Sequence, residues 1–160
     1  RQTDTLLDLG CGGGRNIQYF LTKANKVYGM DYSKTSVDIS KSLNSQAIRD
    51  GRCQIIEGDV SKIPFEDQSI NIVTAFETIY FWSDLETSFK EIYRVLKKGG
   101  QFLICNEGAF RDHKNIQKWA DMLDFKVYSP EYLTKICTKL GFTCEYHLDK
   151  KDHIVFIAIK

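Results

Sequence analysis

The stretch Leu7-Asp8-Leu9-Gly10-Cys11-Gly12-Gly13-Gly14 decides the fold. Thr5 to Leu9 is a short, mainly apolar run that breaks at glycine. Beyond the break, Ile17, Phe20, Leu21 and Ala24 recur at helical spacing. A strand that turns through glycines into a helix aims free N–H groups and a positive dipole end at whatever lies over the turn. Glycine lets the backbone bend there and lets a ligand come close. Any such turn points to a nucleotide-like ligand and no further. A dinucleotide site reads G-x-G-x-x-G, but counted from Gly10 the third glycine position holds Arg15. The pattern here is Asp-x-Gly-x-Gly-x-Gly, through Asp8, Gly10, Gly12 and Gly14.

Outward from this elbow, short β-rich runs alternate with helical patterns, the signature of a parallel sheet covered on both faces. Lys26 to Met30, Cys53 to Glu57, Ser69 to Phe76 and Gln101 to Asn106 read as the next strands, with a helix starting near Ser33. Ser83-Asp84-Leu85-Glu86 fits a capping box, Leu85, Phe89, Ile92, Tyr93 and Leu96 form an apolar face, and Gly99-Gly100 would stop that helix. Ser129-Pro130-Glu131 opens another helix, with Leu133, Ile136, Cys137 and Leu140 as its stripe and Gly141 as its end. Phe142 to Leu148 and Ile154 to Ile159 are strands joined by a link too short for a crossover, which makes them antiparallel. Glu107 to Tyr128 interrupts the alternation. Ile116, Trp119, Ala120 and Leu123 place an amphipathic helix inside it, and it leaves the carboxyl end of a strand, where open α/β sheets put their ligands. The whole is expected to be one domain over residues 1–160, with 107–128 read as part of a substrate cover ahead of a packed excursion without ligand contact.

Composition excludes several classes. A chain of 160 residues with 42% hydrophobic and 27% charged residues has the make-up of a globular domain. No apolar run approaches the ~20 residues of a membrane span. Twenty-two basic against 21 acidic residues give a net charge of +1, without the surplus that neutralises nucleic-acid phosphates. Lys97-Lys98 and Lys150-Lys151 are short pairs beside turns, read as solvated ends. The five cysteines include no Cys-x-x-Cys pair, which speaks against a zinc knuckle or a disulfide framework and for reduced thiols in the cytoplasm. Arg1-Gln2-Thr3-Asp4 has neither a signal-peptide core nor a starting methionine, as in a trimmed chain.

Two carboxylates complete the ligand signal. Asp31, in Gly29-Met30-Asp31-Tyr32-Ser33, stands 21 residues after Gly10, where an acid can accept from both ribose hydroxyls. Asp59, in Glu57-Gly58-Asp59-Val60, can accept from an adenine amino group while the next backbone N–H donates to the ring. Gly-Asp is also a common turn pair, so this motif is the weaker one.

Leu6 to Arg15, Gly29 to Ser33, Glu57 to Phe65 and Arg94 to Leu103 together resemble the ordered motifs of class I S-adenosylmethionine-dependent methyltransferases. The runs Ile63-Pro64-Phe65-Glu66-Asp67-Gln68-Ser69 and Val95-Leu96-Lys97-Lys98-Gly99-Gly100 resemble the branch that includes ubiquinone and menaquinone biosynthesis enzymes. The resemblance implies a Rossmann-like α/β fold, mostly parallel with an antiparallel C-terminal strand and helices on both faces. It implies S-adenosyl-L-methionine as cofactor, no metal, a small-molecule methyl acceptor and a monomer or homodimer. Asp8 and the loop Gly10, Cys11, Gly12 and Gly14 would hold the methionine end. Asp31 would take the ribose, Tyr32 would pack on the adenine, Asp59 and Val60 would read its edge, and Phe76 and Glu77 would face the methyl group. The family usually carries helices before its first strand, whereas about four residues precede it here, so a longer natural chain or a fragment is expected.

In-line S_N2 methyl transfer asks chiefly for positioning. Tyr80, Phe81 and Trp82 could present faces to a cationic sulfur or substrate, or simply pack. A hydroxyl or acidic-carbon acceptor needs a base, for which Glu77 ranks first by position and His113 second; His147 and His153 read as structural. Phe76-Glu77-Thr78-Ile79 replaces the Asn/Asp-Pro-Pro-Tyr set that resembling enzymes use on base amino groups, and no Pro-Cys pair is present. Two rivals stay open: a nicotinamide-dependent oxidoreductase, opposed by Arg15 and the terminal hairpin, and a cofactor-binding domain without turnover.

Overall fold

A computed structural model describes residues 4–107, 122, 126–151 and 153–160. The proposed substrate cover at 107–128 and the helix inside it, and also His113, lie mainly or wholly outside the described residues. The strands are β1 (Thr5–Leu9), β2 (Lys26–Asp31), β3 (Cys53–Glu57), β4 (Ile70–Phe76), β5 (Leu96–Asn106), β6 (Thr143–Leu148) and β7 (Ile154–Ile159). The helices are α1 (Arg15–Phe20), α2 (Lys34–Leu43), α3 (Ser45–Arg49), α4 (Leu85–Val95) and α5 (Pro130–Leu140), with a 3₁₀ turn at Ile79–Phe81.

One seven-stranded sheet runs in the order β3-β2-β1-β4-β5-β7-β6. β1 to β5 pair in parallel, and β7 is antiparallel to both β5 and β6. The order reverses between β1 and β4, and open α/β sheets bind ligands at that switch point. Strand alternation divides the side chains between two cores. Leu7 and Leu9 join Met30, Val73, Phe89, Phe102 and Phe156 in the core beneath α4 and α5. Leu6 joins Ile17, Phe20, Val27, Val37 and Ile55 in the core beneath α1 and α2. Asp8, two residues after Leu6, therefore points to the α1 face.

Local chemistry sets the helix starts. Ser33 caps α2 by accepting from the Ser36 amide at 3.3 Å, and Ser129 caps α5 in the same way through Tyr132, also at 3.3 Å. Gly141 ends α5 in the left-handed region, at φ +102°. The box expected at Ser83 shifts by one residue. Asp84 is the cap, because its carboxylate accepts both the Thr87 amide at 3.0 Å and the Thr87 hydroxyl at 2.6 Å. An anion at a helix N-terminus also gains from the dipole.

Two differences arise from contacts distant in sequence. α4 ends at Val95 rather than at Gly99-Gly100, and β5 begins at Leu96, five residues earlier than expected. The Lys160 ammonium satisfies the last helix carbonyls, donating to Tyr93 O at 2.6 Å and Leu96 O at 2.8 Å. Gly99 and Gly100 in turn pair with the Lys160 backbone, at 2.7 and 3.0 Å. The short helix α3 had no periodic signal of its own.

Arg94 explains why two separate motifs occur together. Its guanidinium forks onto Glu91 at 2.8 Å through both Nε and one terminal nitrogen. It also donates to Phe65 O, Asp67 and Ile63 O at 2.7 to 2.8 Å, while Glu91 accepts from the Ile63 amide at 2.9 Å. The 63–67 loop is thus clamped to α4 by bidentate, charge-assisted bonds. Arg94→Ala is expected to destabilise the fold by about 2 kcal/mol. Denaturant unfolding checks this; an unchanged midpoint would show the clamp to be energetically neutral.

Candidate functional site

The carboxyl ends of β1, β2, β3 and β4 meet along one rim of the sheet. The β1–α1 loop leaves that rim with positive φ at Gly10, Gly12 and Gly14 (+69°, +51° and +81°). Gly10 and Cys11 both donate to Met30 O, at 2.8 and 3.1 Å, which ties the loop to the end of β2. A Cβ at Gly10 would lie 2.0 Å from Thr78 Oγ1, so a side chain there would displace the turn after β4. Gly14 backs onto Ser40 and Asn44, and Asn44 donates to Gly14 O at 3.1 Å. The side of Gly12 where a Cβ would stand is open space. Gly12 is therefore open where Gly10 and Gly14, on either side of it, are wedged into the fold.

Asp31 ends β2 and is nearly buried. Its Oδ2 accepts the Gly12 amide at 2.9 Å and its Oδ1 the Ser33 amide at 2.9 Å. It thus fixes the loop to the start of α2, a role the ribose reading alone did not contain. A carboxylate offers about four lone-pair directions, so capacity for ribose hydroxyls remains. The Gly58 amide donates to Asp31 O at 3.0 Å, which brings the turn after β3 beside it. Asp59, in that turn, is exposed, and Ser61 holds its carboxyl below the usual range. Val60 is partly buried against the main core. Tyr32, 76% exposed at the head of α2, stands free beside Asp31.

Asp8 lies under the loop at 1% exposure. Thr74, its register partner on β4, donates its hydroxyl to Asp8 Oδ1 at 2.7 Å. Oδ2 is buried without a hydrogen-bond partner among the described residues. Burial raises this carboxyl to about 7, the Thr74 bond opposes the rise, and the Asp31 charge adds to it. Cys11 turns its thiol into the α1 core; burial, with Asp8 and Asp31, pushes it up to about 12, so it stays protonated and offers the site only its backbone. Thr74, Thr78 and Asn44 were missed by the sequence reading. The signal for Thr74 was a hydroxyl midway along an otherwise apolar strand.

On the β4 side, Phe76 packs against Phe20 with ring centres 5.9 Å apart. Glu77 follows with φ +51°, a conformation that is strained for a residue with a Cβ. Its carboxylate accepts the Glu107 amide and, at 3.2 Å, the Tyr80 hydroxyl. Desolvation raises it, and those two bonds pull the other way. Trp82 is placed edge-on to Phe89 within the main core, whereas Phe81 is 56% exposed. The structure so gathers Asp8, the loop, Asp31, Asp59, Phe76, Glu77 and Tyr80 along one rim, and leaves the Trp82 ring below it. Among the described residues no group of three potential metal ligands occurs, and no helix is long and apolar enough to cross a membrane.

A parallel sheet with a glycine elbow at its switch point, flanking acids and a final antiparallel strand defines the Rossmann-like class. The family described as "Methyltransferase domain" matches residues 7–104, and the chain belongs to it. Over 81% of its length the chain is 31% identical to the sterol 4-C-methyltransferase strm-1 of Caenorhabditis elegans, covering 40% of that protein. Over 84% it is 32% identical to the demethylmenaquinone methyltransferase of Lactococcus lactis, covering 53% of it. The chain therefore spans about half the length of these relatives, or less. The geranyl diphosphate C-methyltransferase of Streptomyces coelicolor, solved with Mg²⁺, geranyl-S-thiolodiphosphate and S-adenosyl-L-homocysteine, superposes with a TM-score of 0.84 at 15% identity, over 99% of this chain and 70% of that one. At that identity the likeness speaks for the fold.

Proposed function

We propose that the chain binds S-adenosyl-L-methionine and supports methyl transfer to a small-molecule acceptor. The observation that carries this is the pair of acids at the ends of β1 and β2. Asp31 holds the Gly12 amide, Asp8 is buried two residues before the loop begins at Gly10, and among the described residues no cation pairs with either. An adenosyl ligand with hydroxyls at one end and an ammonium at the other fits that arrangement. The unpartnered Oδ2 of Asp8 and the bare face of Gly12 are what such a ligand would meet. When bound, the cofactor supplies a methyl group on a positively charged sulfur.

The chain's own residues then have these tasks. Asp8 and the loop amides take the methionine end, Asp31 the ribose, and Asp59 with the Val60 amide the adenine edge. Tyr32 covers the ring. Phe76 shields the sulfur side from water. Glu77, held by Tyr80 and the end of β5, accepts the acceptor's proton. Its raised carboxyl is the better base for that exchange. A small-molecule acceptor accords with the sterol and the demethylmenaquinone in the relatives' names.

Calorimetry with S-adenosylmethionine, S-adenosylhomocysteine and NADH tests the binding half. Heat with the first two and none with NADH is expected; the reverse would favour the oxidoreductase reading. With a methyl acceptor in hand, Glu77→Gln is expected to lower turnover by about 100-fold and leave cofactor affinity unchanged. Equal turnover would remove Glu77 as base.

A further inference from the structure

Asp8 is the most deeply buried carboxylate among the described residues. The titratable groups facing it are Asp31 from β2 and Cys11 from the loop, the one an acid and the other a protonated thiol. From β4 it meets only the Thr74 hydroxyl. Glu77, at the end of that strand, is engaged with Tyr80 and Glu107. Arg15, at the head of α1, is exposed, and no described cation forms an ion pair with Asp8. Burial disfavours an ionised carboxylate in such a place unless it is paired, so the group stays neutral until a cation arrives. Its elevated titration, up to about 7, agrees with that geometry.

We propose that Asp8 is a neutral carboxylic acid in the free protein and gives up its proton when the cofactor's α-ammonium docks against Oδ2. This rests on the cofactor assignment above. The carboxyl O–H bond breaks, the proton passes to solvent, and the carboxylate accepts an ammonium N–H. The sulfonium has no N–H or O–H to donate. The ammonium is common to S-adenosylmethionine and S-adenosylhomocysteine, so both must trigger the release. Cofactor capture is thereby linked to pH through one residue of the glycine-loop motif.

Titration calorimetry of the 160-residue chain in phosphate and in Tris, whose ionisation enthalpies differ, counts the protons. For a group titrating at about 7, roughly half a proton is released at pH 7 and nearly one at about pH 6, both below the range in which the cofactor's own amine loses its proton. Affinity at about pH 6 is roughly fivefold below that at about pH 7. Asp8→Asn abolishes the release. Heats independent of buffer, or release persisting in Asp8→Asn, would overturn the proposal. Release with S-adenosylmethionine alone would overturn the ammonium as partner. No heat with either ligand at any pH would remove the cofactor reading itself. If Asp8→Asn does not fold, carbon-13 NMR of the wild-type Asp8 carboxyl decides. Ionisation near neutrality that moves down on adding S-adenosylhomocysteine supports the proposal; ionisation in the ordinary carboxylate range overturns it.

Discussion

Asp31→Ala is expected to weaken S-adenosylmethionine binding by at least about 30-fold, some 2 kcal/mol or more. Two losses combine. The carboxylate that would accept the ribose hydroxyls disappears, and charge-assisted bonds are about twice as strong as neutral ones. The Gly12 and Ser33 amides also lose their acceptor, so the loop that receives the methionine end is no longer pinned to α2. Asp31→Asn separates the effects. Its amide oxygen keeps one of the two bonds without the charge, so affinity should fall between the wild type and the alanine variant. Calorimetry of the three chains checks the order. Unchanged affinity in Asp31→Ala would mean that the ligand lies elsewhere.

Asp8→Asn is expected to stabilise the free protein, and more so as pH rises. In the unfolded chain this carboxyl ionises near 3.8, whereas in the folded chain it ionises at about 7. Between those values folding takes up a proton, so stability falls with each unit of pH. Above about 7 both states are ionised and the loss, on the order of 4 kcal/mol, is complete. Asparagine keeps the shape, can pair with Thr74 and does not titrate. The gain over wild type should therefore be small near pH 4 and widen by roughly 2 to 3 kcal/mol between about pH 5 and pH 8. Urea unfolding at both pH values measures it, and an equal gain at both would refute a neutral buried Asp8. The same substitution should cost cofactor affinity, the trade expected where a binding group is held at the expense of stability.

What was legible in the sequence was what is local. The elbow at Gly10–Gly14, the helix starts at Ser33 and Ser129 and the final hairpin are each written within a few consecutive residues and are present as read, while the acid read as following β2 is its last residue. The parallel pairing followed from alternation, and the antiparallel last strand from a link too short to cross over. What escaped depends on partners far apart in the chain. Thr74 matters because the register sets it opposite Asp8, 66 residues earlier. The end of α4 is fixed by Lys160, more than 60 residues on, while the glycines that would have stopped the helix lie inside β5. Arg94 links two motifs that were recognised separately. The aromatic trio shows the same limit. Composition could not sort the exposed Phe81 from Tyr80, buried with its hydroxyl on Glu77, or from Trp82, buried edge-on to Phe89.

The central claim is that one adenosyl ligand is gripped at the switch point by the loop and the acids beside it. Amide NMR during a titration with S-adenosylhomocysteine tests it most directly. The account predicts that the Gly10, Gly12, Ser33 and Val60 amides shift together along a single saturating curve, with the edge strand β6 unmoved. Saturation that left the loop amides in place, or moved only residues remote from the ends of β1 and β2, would contradict it.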